Sequence, residues 1–420
     1  MSLDSDSARL IARVASYREE MVAFQVALTA VRALGPSNGG AGEWERAEFL
    51  VETAREFGLT DVERVDAEDD RVPSGLRPNA VIRLRGRESR PKIWVMAHMD
   101  TVPPGEPTLW DGDPFDARVD AGRIIGRGVE DNQHGLTAAL FALRALADEG
   151  LAPPADVCLL LVADEETGNA YGVDHVLGAR PDLFDGSDLV IVPDSGSKDG
   201  SLLEVAEKSS LWVRLAVRGA QVHASLPQKG LNANRVAAHL TIRLDEALHS
   251  AFPGQDPLFE PPGSTFEPTK RDANVENVNT VPGDDVSYFD CRVLPEYALD
   301  DVQNVIESIS LEVQAEFGAQ IDVSYPAVNP AAPSTPADAD VVRVLADAVH
   351  DVRDVETRPV GIGGGTVAAS FRRRGIPAVV WATIDETAHS ANEYCVIDNL
   401  VADAQVFAQV FAHGPSPEET

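Results

Sequence analysis

The sequence predicts an α/β protein: a mostly parallel sheet with helices on both faces, carrying an inserted smaller α+β domain. Three observations carry that expectation. In the first half, short apolar runs at 80–84, 93–97, 157–162 and 188–192 alternate with stretches of helical spacing, as in strands joined by crossover helices. From about residue 209 the pattern changes, and LWVRLAVRG at 211–219 alternates like a half-solvated strand. After residue 326 the first pattern resumes. The expected domains are therefore 1–208 with 327–420, and an insertion at 209–326. A chain of 420 residues is long for one core, which agrees with two.

Element by element, residues 7–34 have helical spacing, GPSNGGAG at 35–42 is a turn, and 43–57 is an amphipathic helix ended by Gly58. The strands 80–84 and 93–97 follow, then a helix at 135–146 and the strands 157–162 and 188–192. Within the insertion, 211–219, 287–294 and 321–325 read as strands and 235–249 and 301–317 as helices. Roughly four strands with two helices on one face would suit this block, which also holds a long loop at 252–283 rich in proline, asparagine and glycine. NPAAPSTPADAD at 329–340 leads back to the larger domain, completed by a helix at 338–350, the loop GIGGGT, a strand at 378–382 and a helix at 399–411. GPSPEET at the end is expected to fray.

The charge excludes some partners. With 68 acidic against 35 basic residues the net charge is −33, which repels nucleic acid and anionic membranes. Lysine occurs only at 92, 198, 208, 229 and 270, and so acidic a surface resembles that of proteins from salt-loving organisms. No apolar run approaches 18 residues and no basic-apolar leader is present, so a soluble cytoplasmic protein is expected. Cys158, Cys291 and Cys395 are far apart without a CxxC, so they are expected to be free thiols rather than disulfides or zinc ligands.

Open parallel sheets bind ligands beyond the carboxyl ends of their strands. Just past the apolar runs stand His98 and Asp100, Glu165 and Glu166, Asp194, and His389, with Asp131 immediately before the helix near Gly135. Such carboxylates held together would repel one another, and some would protonate. A pair of divalent ions removes that repulsion, and imidazole plus carboxylate without thiolate suits zinc, cobalt or manganese in a hydrolytic site. Glu165 and Glu166 are adjacent, so their side chains diverge: one can reach a metal while the other reaches the water above it. The glycines of GIGGGT lack a following GK[ST], and DSGS at 194–197 is no nucleophile elbow. His134 is expected at a surface helix N-terminus.

The motifs MAHMDTVPPG (96–105), GRGVEDNQHG (126–135), DEETG (164–168), VPD (192–194), GAQVHASLPQKGLNA (219–233), DCRVLP (290–295) and AHSANEY (388–394) resemble those of the zinc aminoacylase and carboxypeptidase family. That family includes succinyl-diaminopimelate desuccinylase, acetylornithine deacetylase, glutamate carboxypeptidase and several dipeptidases. The resemblance implies two zinc ions per subunit, with cobalt or manganese as substitutes. His98 and Asp194 would hold one, Glu166 and His389 the other, and Asp131 would bridge them. It also implies that Asp100 orients His98, that Glu165 is the general base, and that His223 of the inserted domain stabilises the oxyanion in a partner subunit. Arg292 would meet a substrate carboxylate, with Asn279 near the substrate and Thr366 offering a hydroxyl.

The inserted domain would thus be a lid and a homodimer interface. The implied reaction is hydrolysis of the amide of an N-acyl amino acid, of the desuccinylase or acetylornithine deacetylase type, with a dipeptidase or carboxypeptidase on the same site as the alternative. One departure bears on that choice: after Gly364, Gly365 and Thr366 come VAAS, where desuccinylase-type relatives commonly carry serine, aspartate and arginine.

Overall fold

The computed structural model describes residues 5–414 and divides the chain into two compact units. Among the described residues the larger comprises 5–205, 334–359 and 366–414, and the smaller 206–333 and 360–365. The tail 415–420 lies outside the described residues. Among those described, no helix is long and apolar enough to cross a membrane.

The larger unit is built on a mixed eight-stranded sheet whose centre is parallel. Ala155–Val162, Glu88–His98, Leu189–Val192 and Ala378–Val380 stand side by side and run the same way. Ala80–Leu84 joins one flank antiparallel to Ala155–Val162, and Leu202–Glu207 joins the other antiparallel to Ala378–Val380. The central strands are buried on both faces, which is why they read as unbroken apolar runs. Trp94, Met96, Leu160, Val190 and Phe371 form part of the core on one side. Each such side chain removed from water contributes roughly 1.5–3 kcal/mol.

The helix Gln133–Glu149 packs against Ile397–His413 and is buried along most of its length. Its start touches the sheet closely. A Cβ on Gly135 would lie 2.4 Å from Pro193 Cγ, so only glycine lets the helix end approach the end of strand Leu189–Val192.

The N-terminal helical stretch is two helices, Ser5–Ser16 and Arg18–Ala30. A three-stranded sheet of Arg118–Asp120, Arg123–Ile125 and Tyr394–Val396 has no counterpart in the sequence expectation. Its strands are three residues long, too short to show a period.

The smaller unit is a four-stranded antiparallel sheet in the order Thr265–Arg271, Asp284–Val293, Ser209–Arg218, Gln320–Asn329, with the helices Ala233–Ala251 and Leu299–Phe317. Along Asp284–Val293 burial alternates strictly, with Phe289, Cys291 and Val293 facing the helices. The region expected to be one long loop, 252–283, contains the fourth strand. Thr265–Arg271 is an edge strand, exposed over most of its length and irregular at Pro268, so it carries neither alternation nor an apolar run.

All three cysteines are free and buried.

Candidate active site

The parallel register decides which side chains meet. His98 ends its strand, Glu165 and Glu166 open a single turn just after Ala155–Val162, and Asp194 follows Leu189–Val192 by two residues. These three strands are neighbours running in one direction, so their carboxyl ends share one edge. Asp131 and His389 arrive on loops. Tyr394–Val396 pairs antiparallel with Arg123–Ile125, and the Gly126 N–H donates to the Glu393 carbonyl at 3.0 Å. The two chains leaving that small sheet, 126–131 and 393–389, therefore run together toward the same edge.

Two groups of ligand atoms result, each within 4.8 Å: His98, Asp131 and Asp194, and Asp131, Glu166 and His389. His98 Nε2 lies 2.9 Å from Asp131 Oδ1 and 3.2 Å from Asp194 Oδ1. His389 Nε2 lies 3.1 Å from Asp131 Oδ2 and 3.2 Å from Glu166 Oε2. Asp131 thus serves both groups through different oxygens.

The electrostatics ask for cations. Burial alone would lower the pKa of His98, but Asp100, Asp131 and Asp194 raise it well above the ordinary value. Hydrogen bonds donated to the Asp131 and Glu166 carboxylates lift His389 to about 10. Burial works to raise Asp131, yet His389 and His98 hold it below the usual carboxylate range. Glu166 Oε1 and Asn132 Oδ1 are buried without a hydrogen-bond partner, the condition of atoms awaiting a ligand or water. Two imidazoles, three carboxylates and no thiolate fit a pair of divalent ions of the zinc, cobalt or manganese kind.

Glu165 belongs to neither group. Burial first, then the charges of Asp194 and Asp100, hold its carboxyl well above the ordinary range. Asp100 does more than the sequence suggested. Its Oδ1 is 3.4 Å from His98 Nδ1, and its two oxygens accept the N–H groups of Glu165 and Glu166, each at 3.1 Å. One carboxylate therefore braces a histidine and both glutamates.

Behind the glutamates lies an ion cluster that sequence reading missed. Arg77 is fully buried between Glu43, at 2.5 Å, and Asp164, at 3.3 Å, with Asp69 at 3.5 Å. Asp164 has φ 65° and caps the turn by accepting from the Thr167 hydroxyl and the Tyr171 N–H. No local spacing links Arg77 to Glu43 or Asp164, so only the fold reveals the cluster.

The placement of His134 needs correcting. It is buried, with Nε2 2.8 Å from Asp403 Oδ2 and Nδ1 3.2 Å from Cys395 Sγ. The helix start is covered by Ile397–His413, so it does not face solvent.

The smaller unit holds His223, Asn279 and Arg292. Val222–His223 pairs with Thr280–Val281, and the Ala224 N–H donates to the Asn279 carbonyl at 2.8 Å, so His223 and Asn279 share one exposed corner. His223 Nδ1 is 2.7 Å from the Ser225 hydroxyl. Arg292 forks onto Asp290 at 2.6 and 3.0 Å and donates to the Gly363 carbonyl at 2.9 Å. Thr366 lies in the larger unit, just before the helix Ala368–Arg372.

Comparison with known proteins places this arrangement. An uncharacterized metallohydrolase of Methanococcus maripaludis is 34% identical over 94% of this chain and 99% of its own. A succinyl-diaminopimelate desuccinylase of Alkalilimnicola ehrlichii is 27% identical, over 91% of this chain and 96% of its own. The crystal structure of human carnosine dipeptidase 1 shares the fold with a TM-score of 0.72 at 15% identity, covering 97% of this chain and 98% of that one. The pattern of peptidase family M20/M25/M40 matches residues 94–413, the span that carries both ligand groups. The chain therefore belongs to peptidase family M20/M25/M40 and is a metal-dependent hydrolase of amide bonds.

Proposed function

We propose that the protein is a dipeptidase or carboxypeptidase that hydrolyses the amide of a short peptide at a dinuclear zinc site, with Glu165 as general base. The observation that carries this reading is the sharing of Asp131 between two ligand groups while Glu165 stands outside both. Two divalent ions bound there would polarise the scissile carbonyl and acidify an attacking water. Glu165 takes the proton from that water and returns it to the leaving nitrogen. Asp100 accepts the Glu165 N–H and so fixes its backbone for both acts. His223 is proposed to stabilise the oxyanion, and Arg292, Asn279 and Thr366 to bind substrate. A cytoplasmic homodimer assembled through the smaller unit, adapted to high salt, completes the proposal.

One feature supports a peptide over an N-succinyl substrate: VAAS after Thr366 offers no cation for a second carboxylate. The second reading, an N-acyl amino acid deacylase of desuccinylase or acetylornithine deacetylase type, has the 27% identical desuccinylase in its favour.

The test is amine release from dipeptides, tripeptides, N-acetyl amino acids, N-acetylornithine and N-succinyl-diaminopimelate, with zinc or cobalt supplied in concentrated potassium chloride. Free-amine peptides should be the best substrates by kcat/KM. Turnover confined to acylated substrates would replace the peptidase reading with the deacylase one.

A further inference from the structure

Two buried carboxylates beside the site belong to neither ligand group. Glu130 is 4% exposed and Glu393 fully buried. Each faces the other's loop. Glu130 Oε1 accepts the Asp385 N–H at 2.8 Å, and its Oε2 accepts the N–H of Thr387, the Thr387 hydroxyl at 2.8 Å and the Ala388 N–H at 3.1 Å. Glu393 Oε2 accepts from Arg127 Nη1 at 2.6 Å and the Gly128 N–H at 2.8 Å, while its Oε1 accepts the N–H groups of Glu130 at 2.9 Å and Asp131 at 3.1 Å. The loop that carries Asp131 lends a carboxylate to the backbone of the loop that carries His389, and the reverse.

This exchange is directed at the ligands. His389 has φ 61°, and Glu386 and Asn392 have φ 60° and 56°, left-handed conformations that non-glycine residues keep only when their surroundings impose them. Glu130 holds the two residues just before His389, and Arg127 Nη2 donates to the Ser390 carbonyl just after it at 3.2 Å. Glu393 holds the N–H of Asp131 itself.

We propose that Glu130 and Glu393 are positioning residues of the dinuclear site: Glu130 fixes His389 and so sets one ligand group alone, whereas Glu393 fixes Asp131 and so sets both. The inference rests on the dinuclear reading above. Side chains that orient metal ligands typically change affinity 10–100-fold when replaced.

Cobalt titration of the metal-stripped full chain, followed by calorimetry and visible absorption, separates these roles. His389→Ala removes a ligand from one group only and so identifies its binding step. Glu130→Gln should weaken that same step roughly 10–100-fold and leave the other at the wild-type value. Glu393→Gln should weaken both. A general loss of stability would not discriminate between the steps. If Glu130→Gln does not fold, Thr387→Val removes one donor from the clamp and should weaken the His389 step by a smaller factor. Unchanged steps in Glu130→Gln or Thr387→Val, or equal weakening of both, overturn the proposal, as does an unchanged Glu393→Gln. A wild-type chain that takes up fewer than two ions defeats the dinuclear reading and the clamp's metal role with it. Two ions in the wild type with unaltered variants defeat the clamp alone.

Discussion

Replacing Arg77 with methionine takes the guanidinium from the buried Glu43 and removes one of several partners from Asp69 and Asp164. The guanidinium is fully buried and meets Glu43, itself fully buried, along with Asp69 and Asp164. Burial already holds the Glu43 carboxyl above its ordinary value against the pull of Arg77. Removing one partner from such a buried network costs about 3–5 kcal/mol, because the remaining charge keeps its desolvation penalty and loses its compensation. For a unit of this size that is a fall of about 5–8 °C in the thermal midpoint. The pH dependence has a definite sign. Without Arg77 the folded-state pKa of Glu43 rises further above its unfolded value, so the cost is complete above the folded value and shrinks as pH falls toward the unfolded one. Thermal unfolding of wild type and Arg77→Met across about pH 5 to 8 measures it, and Arg77→Met/Glu43→Gln should recover part of the loss. Because Asp164 leads directly into Glu165, turnover at a temperature where both chains are folded should also drop. A stability loss under about 1 kcal/mol, or one that grows toward low pH, would refute this reasoning.

Two further outcomes follow from the site and its support. Glu165→Gln keeps the side chain's size and touches neither ligand group, so metal content should match wild type while turnover falls roughly 100- to 10,000-fold, read by metal analysis and steady-state kinetics on one preparation. Turnover within threefold of wild type would remove Glu165 from the mechanism. For His134, burial lowers the pKa but Cys395 and Asp403 outweigh it and hold it at about 10. A raised folded value means its contribution to stability is complete below about 6.5 and is lost as pH rises through about 10, at up to about 1.4 kcal/mol per pH unit. Chemical unfolding of wild type and His134→Gln should therefore converge with rising pH, and a constant gap would contradict it.

How far the sequence carried the reading depends on the range of the interactions. The central strands are buried on both faces and announce themselves as apolar runs, so His98, Glu165, Glu166 and Asp194 could be placed at strand ends without coordinates. The meeting of Asp131 with His389 depends on a sheet of three-residue strands, and that pairing carries no period. Thr265–Arg271 was invisible because an exposed edge strand containing Pro268 looks like a loop. Arg77 with Glu43, His134 with Asp403, and Glu130 with the 385–388 loop join residues 34, 269 and 255 or more positions apart. Only a fold brings such partners together, and these unread contacts are the ones that aim the readable residues.

The central claim is that Asp131 serves two ions at once. Metal analysis of purified wild type and Asp131→Ala after zinc loading, with peptide hydrolysis assayed on the same samples, tests it most directly. The expected result is two ions per wild-type chain, loss of both from Asp131→Ala, and loss of activity with them. An Asp131→Ala chain that still holds two ions, or a wild type that hydrolyses peptides at full rate after exhaustive chelation, would contradict the account.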